Sequence, residues 1–172
     1  TLDAEVTVNK KATTEIVAVY AWANLVDTYG DVPYSEALKP TGADQVIQPK
    51  YDDAKTIYAD LIKRLDAAIA TIKTSKAGFS SDLIYHGDMN HWKKFANSLK
   101  LRLGINLADV DAALAKSTVE SAYAGAFASN ADNAVIDFPG GQYANPVSLE
   151  LSGRTDYVGS NVLINAMNSK AD

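Results

Sequence analysis

The run from Trp92 to Leu107 most constrains what this chain can fold into. Trp92, Phe95, Ala96, Leu99, Leu101, Leu103, Ile105 and Leu107 keep helical spacing there but occupy more than one face. A helix that is apolar on several sides must be enclosed by other elements, so this segment predicts the central, most buried helix. Asp88 stands ready to cap it, with the helix beginning near Met89 or Asn90.

Candidate neighbours lie on both sides. From Lys10 to Thr28, Ile16, Val17, Val19, Tyr20, Ala23, Leu25 and Val26 keep a helical period with no Gly or Pro among them. Gly30 and Pro33 then stop the helix, because Gly30 can adopt a terminating conformation and Pro33 cannot continue one. Residues 34–50 read as a loop. A second helix starts at Asp52 or Asp53 and runs to about Lys73, with a stripe of Ile57, Tyr58, Leu61, Ile62, Leu65, Ala68, Ile69 and Ile72. Beyond the central helix, Asp109 marks the start of a fourth, carrying Val110, Leu114, Val119, Tyr123 and Phe127. The connection is so short that the third and fourth helices should form an antiparallel hairpin. The helical aromatic residues Tyr20, Trp22, Tyr58, Trp92, Phe95 and Tyr123 are expected to pack in the core.

Residues 130–156 change character, with Asn, Gly and Pro throughout. They read as a long ordered loop in which Ala134 to Phe138 is a strand or an extended segment. A last short helix, Val158 to Met167, can be capped by Ser160. The fold class is therefore mainly α, with tetratricopeptide-like helical hairpins and long loops, although no signature recurs at a fixed period. One domain over residues 1–172 is expected, since a chain of this length with 47% hydrophobic and 22% charged residues can bury a single core.

Several function classes fall away on composition. The net charge is -5 and no basic run could track a phosphate backbone, so no nucleic-acid partner is expected. Apolar stretches are broken well before the roughly 18 residues a membrane span requires. The chain has no cysteine, which removes disulfides and thiolate chemistry. It begins at Thr1 without a basic and apolar leader, and a removed export signal fits that start.

Catalytic constellations are equally scarce. Asp82, His86, Asp88 and His91 gather both histidines beside two carboxylates, but lack the i, i+4 histidine pair of a helical zinc site. Loop and cap polarity explains them better. No serine sits in a nucleophile elbow, and Gly140-Gly141 is followed by Gln142-Tyr143 instead of a phosphate-binding helix start. No catalytic residue, metal or cofactor is expected, and the chain reads as a binding protein. Tyr34, Tyr143 and Tyr157 fall in loops, where a ring can stack on a sugar; anchoring the loop onto the helices is the commoner duty.

Taken in order, several strings resemble the SusD/RagB family of surface nutrient-binding lipoproteins. They are Leu25-Val26-Asp27-Thr28-Tyr29-Gly30-Asp31-Val32-Pro33-Tyr34-Ser35-Glu36-Ala37, Pro49-Lys50-Tyr51-Asp52, and Asp82-Leu83-Ile84-Tyr85-His86-Gly87-Asp88 leading into Trp92 to Arg102. Asn145-Pro146 and Ser152-Gly153-Arg154-Thr155-Asp156-Tyr157 continue the series. Members of the family are considerably longer, so the chain resembles part of such a protein, without the lipid-anchoring cysteine.

The resemblance implies a lipid-anchored protein on the outer-membrane surface, capturing oligosaccharides or peptides without cleaving them. It also implies delivery to a SusC-like TonB-dependent transporter. Periodicity alone equally permits a helical-repeat scaffold that binds only protein partners. No family motif marks the ligand contacts. Tyr143, Asn145, Arg154 and Tyr157 are the candidates, because they combine a stacking surface with hydrogen-bonding groups in one irregular stretch. Arg154 can instead pin that loop through Asp156 or a backbone carbonyl.

Overall fold

A computed structural model describes residues 3–39, 46–154 and 159–170. The chain falls into two compact units, residues 1–135 and 136–172. The first contains α1 (Ala4–Tyr29), β1 (Val32–Pro33), β2 (Tyr51–Asp52), α2 (Ala54–Thr71), α3 (Met89–Asn106) and α4 (Ala112–Ala122). Two 3-10 turns follow, Tyr123–Gly125 and Asn130–Asp132. The second unit holds α5 (Pro146–Leu151) and α6 (Asn161–Ser169).

Each long helix starts where a carboxylate can accept from its unpaired amides. Asp3 accepts from Glu5, Asp53 from Thr56, Asp88 from Asn90 and His91, and Asp111 from Leu114. The cap at Asp3 carries α1 a full turn and more upstream of the expected Lys10. The fourth helix opens at Asp111 and not at Asp109, because residues 107–110 form a turn tied by Val110 N–H to Leu107 and Asp111 N–H to Leu107. At the other end of α1, Gly30 takes φ 72° and its N–H closes on the Val26 carbonyl at 2.8 Å.

Side-chain bonds between helices fix their directions. Along α1 and α2, Asp27 meets Tyr58, Glu15 meets Arg64 and Asn9 meets Lys73, so the two run antiparallel. Tyr58 meets Asn106 and Asp66 meets Lys100, which sets α3 antiparallel to α2. Thr13 lies on Met89, Tyr20 on Phe95, and Asp27 near Arg102, hence α1 and α3 run parallel. Gly104 faces Thr118 while Asn97 faces Gly125, so α4 returns antiparallel to α3, as the short connection predicted. The result is two successive helical hairpins packed side by side, a mainly α fold.

The core runs along this stack. Ile16, Val19 and Ala23 of α1 meet Ile57, Leu61 and Leu65 of α2, and Met89, Trp92, Ala96 and Leu103 of α3 close it. Full burial of side chains such as Ile16, Leu61 and Leu65 stabilises the fold by about 1.5–3 kcal/mol each. Among the described residues, every buried side-chain nitrogen and oxygen has a hydrogen-bond partner.

The irregular stretches needed correction. Strands β1 and β2 pair antiparallel, Val32 with Asp52 and Pro33 with Tyr51, where a loop entry was expected. Residues 134–138 adopt no regular structure. Residues 146–151, read as loop, form α5, with Pro146 in its first turn and Asn145 capping it. Ser160 does precede the last helix, but its side chain makes no capping bond.

Candidate functional site

The loop tyrosine Tyr34 is committed to the frame. Its hydroxyl donates to Asp60 and accepts from Arg64 Nη1 at 2.7 Å, while Arg64 Nε donates to Glu15. The Tyr34 ring meets Trp22 edge-on, centroids 4.8 Å apart. Its backbone and that of Ser35 donate to the Asp52 carboxylate at 3.2 and 2.6 Å. Burial first, and then the bond to Asp60, push the phenol up to about 12, so it stays a neutral donor at physiological pH. Tyr34 therefore anchors the chain that links α1 to β1, β2 and α2.

The histidine loop is spent in the same way. Both Asp82 oxygens accept, from the amides of Ile84 at 2.9 Å, Tyr85 at 3.3 Å and Gly87 at 3.0 Å, and from the Trp92 indole at 2.7 Å. Asp88 caps α3 and also meets His91 Nδ1 at 2.9 Å. The His91 ring stacks on Tyr85 at 5.2 Å. Among the described residues no three His, Asp or Glu side chains are placed to hold a metal ion. These contacts fold a loop and start a helix.

Three of the four residues proposed as ligand contacts lie in the second unit, within one turn-and-helix segment. Gly140 to Tyr143 forms a tight turn, with the Tyr143 N–H on the Gly140 carbonyl at 3.0 Å, and leaves the Tyr143 side chain 65% exposed. Asn145 Oδ1 accepts from Val147 at 2.9 Å, which starts α5. Arg154 Nη1 reaches Glu150 at 2.7 Å, one turn back. Tyr157 and Asp156 lie outside the described residues.

A different surface emerges on the first unit. Between the parallel helices α1 and α3 opens a cleft of about 190 Å³, lined by Tyr20, Phe95, Ser98, Leu99, Arg102 and Phe127. Phe95 lies 6.0 Å from Tyr20 and 6.1 Å from Phe127, ring centre to ring centre, with both pairs tilted at 55°. The Arg102 guanidinium sits 5.6 Å from the Tyr20 ring and is held at its outer end by Asn24 at 3.4 Å and Asp27 at 3.7 Å. Ser98 Oγ accepts from the Phe127 N–H at 2.8 Å, fixing Phe127 over the cleft. Helical period had assigned Tyr20 to the core and Phe127 to the fourth helix. Instead Tyr20 is 42% exposed, and Phe127 lies beyond the end of α4.

Comparison with known proteins adds a decisive observation. The family model SusD-like, described as starch-binding associating with outer membrane, matches residues 1–172. The chain belongs to this SusD-like family. Among solved structures, it is similar to a chitin-binding protein, with 31% identity and a TM-score of 0.84 over 99% of this chain and 36% of that one. A SusD homolog from Bacteroides uniformis is 36% identical, with a TM-score of 0.70 over 84% of this chain and 30% of that one. A SusD homolog from Bacteroides thetaiotaomicron is 29% identical, with a TM-score of 0.78 over 99% and 34%. The chain thus spans about a third of the length of these SusD-like relatives. A comparison with curated proteins gives no match.

Within the SusD-like frame, the strings that carried the resemblance hold helices together. Asp31 Oδ1 accepts from the Ala54 N–H at 2.9 Å and ties the end of α1 to the start of α2. Trp92 and Asp82 bind the 82–88 loop to α3. No helix among the described residues is long and apolar enough to cross a membrane.

Proposed function

We propose that this chain is one SusD-like domain of a longer, lipid-anchored cell-surface protein that binds a glycan nutrient and passes it uncleaved to a SusC-like TonB-dependent outer-membrane transporter. The observation that carries this reading is the match of all 172 residues to a starch-binding, outer-membrane-associated family. The likeness to a chitin-binding protein over 99% of the chain supports it. The site chemistry is consistent with binding: the Asp82 carboxylate is taken up by three amides and the Trp92 indole, and Asp88 is used to cap α3 and to hold His91.

In this reading Tyr143, Asn145, Arg154 and Tyr157 belong to the ligand surface. Tyr143 offers an exposed ring on a tight turn, and the Asn145 cap with the Arg154–Glu150 pair would hold that turn rigid for recognition.

The test is isothermal titration of the full-length gene product against malto-oligosaccharides, chito-oligosaccharides and peptides, together with co-purification of the transporter encoded beside it. Binding of a glycan in that panel is expected, and Tyr143→Ala should weaken it. A protein that binds no glycan and retains no transporter would overturn the proposal.

A further inference from the structure

We infer that the cleft between α1 and α3 is a second glycan contact, taking one pyranose ring between Tyr20 and Phe127 with its hydroxyls turned toward Arg102 and Ser98. The inference rests on the glycan-binding reading above, and it places a sugar on the helical frame itself.

Size is the first argument. At about 190 Å³ the cleft is smaller than the roughly 300–1,000 Å³ of a pocket that encloses a drug-sized ligand. It holds one ring of a chain whose other rings stay outside.

Chemistry is the second. A pyranose presents C–H faces and hydroxyl edges, so its receptor needs aromatic rings flanked by directional donors. Tyr20, Phe95 and Phe127 supply the rings, with Leu99 as the floor. Ser98 Oγ already accepts from the Phe127 amide, which leaves its own proton for a ligand oxygen. Among the described residues, Asn24 and Asp27 engage Arg102 through Nη2, which leaves Nε and Nη1 as donors at the cleft's polar end.

Packing on Phe95 accounts for only part of Tyr20. The core positions of α1 are Ile16, Val19, Ala23 and Val26, all buried, whereas Tyr20 projects from the adjoining face at 42% exposure. Arg102 braces its ring there, held on its far side by Asn24 and Asp27 from the next turns of the same helix. That orders a large ring at the surface, where burial contributes little to stability and a flat face is available to a ligand.

The experiment measures affinity of the full-length protein for whichever malto- or chito-oligosaccharide it binds. Tyr20→Ala should weaken binding about tenfold, the upper range for loss of one ring contact. Arg102→Met should also weaken it, while Tyr51→Ala, an exposed tyrosine elsewhere, leaves it unchanged. As a readout that needs no variant, bound oligosaccharide should protect Tyr20 from nitration by tetranitromethane, scored by peptide mass spectrometry, and leave Tyr51 reactive. If the wild type binds a glycan but neither Tyr20→Ala nor Arg102→Met alters affinity and Tyr20 nitrates at the free rate, the cleft assignment is overturned while the glycan reading stands. Loss of transporter association with glycan affinity intact would assign the cleft to protein docking and overturn it equally. A wild type that binds no glycan overturns both.

Discussion

Asn9 and Lys73 exchange two hydrogen bonds across 64 residues of sequence: Asn9 Nδ2 donates to the Lys73 carbonyl at 2.9 Å, and the Lys73 N–H donates to Asn9 Oδ1 at 2.8 Å. The amide also donates to Lys76 and Ala77 carbonyls, at 2.8 and 3.3 Å, and Asn9 is fully buried. One side chain from α1 thus satisfies the backbone just past the end of α2, where helical partners run out. Asn9→Leu should destabilise by about 3 kcal/mol, since it strands several backbone groups at about 1–3 kcal/mol each. Asn9→Asp should be at least as damaging at neutral pH, because its carboxylate would face the Lys73 and Lys76 carbonyls. Urea unfolding of both variants checks the prediction.

The loop before α3 depends on Asp82 in a comparable way. Asp82→Ala removes the acceptor for three amides and the Trp92 indole, and should cost about 3 kcal/mol and admit proteolysis within residues 79–88. Trp92→Phe keeps the ring packing and loses one donor, so it should cost only about 1–2 kcal/mol. A Trp92→Phe loss as large as that of Asp82→Ala would show that the indole, and not the amide cluster, holds the loop.

How far these features are legible in sequence depends on whether their partners are near in the chain. Asp88 and Gly30 could be assigned, and Asp53 narrowed to a choice with Asp52, because a cap and its amides lie within three or four residues. The period breaks at Asp109, but the cap falls at Asp111, which follows the turn at Leu107 and meets Lys55 of α2 at 3.1 Å. Asn9 lies just ahead of the helix expected from Lys10, and nothing nearby in sequence marks its role, because its partners lie more than 60 residues away. Tyr20 fitted the helical period of α1, and period alone does not separate a core face from the face beside it when both carry apolar residues. Conversely, α5 was hidden by Asn, Gly and Pro, although Asn145 followed by Pro146 is itself a helix-start signal.

Gly104 is a mid-helix glycine whose reason is a close approach. A methyl group there would lie 3.0 Å from Val119 Cγ2 and 3.1 Å from Thr118 Cγ2, so these α4 side chains would have to give by a few tenths of an ångström to admit it. Gly104→Ala gains roughly 1 kcal/mol in helix propensity but should lose about 1–3 kcal/mol to overpacking. The expected result is a lower melting temperature, with the change confined to the α3–α4 hairpin in amide exchange. Unchanged or raised stability would mean that the two helices separate without cost.

Lys100 is a lysine with its side chain 7% exposed on α3, paired with Asp66 of α2, itself 54% exposed. Removing the carboxylate leaves an ammonium in a nearly dry site, whereas removing the lysine leaves a carboxylate that water can reach. Asp66→Ala should therefore cost about 1–2 kcal/mol, and Lys100→Met should be close to neutral or stabilising. The order of the two variants in urea unfolding is the informative readout, and the reverse order would refute this account.

Asp132 sets the acid limit of the segment that follows α4. Lys94 Nζ at 2.6 Å first, then the amides of Ala128 and Ser129, hold its carboxyl down at about 2. Its folded value lies below the ordinary 3.8, so the unfolded chain binds this proton more readily. The stabilisation is fully present above about pH 4 and is lost as pH falls from there through about 2. Tyr85, whose hydroxyl donates to the Asp132 carbonyl at 2.9 Å, reports the same segment. Asp132→Asn should flatten this acid limb of the stability curve and lower stability at pH 7, because its amide cannot accept from both Lys94 and the two backbone amides as a carboxylate does. Thermal melts of the wild type and Asp132→Asn between pH 2 and 6 decide it: if both lose stability in parallel, other carboxylates govern the acid limb.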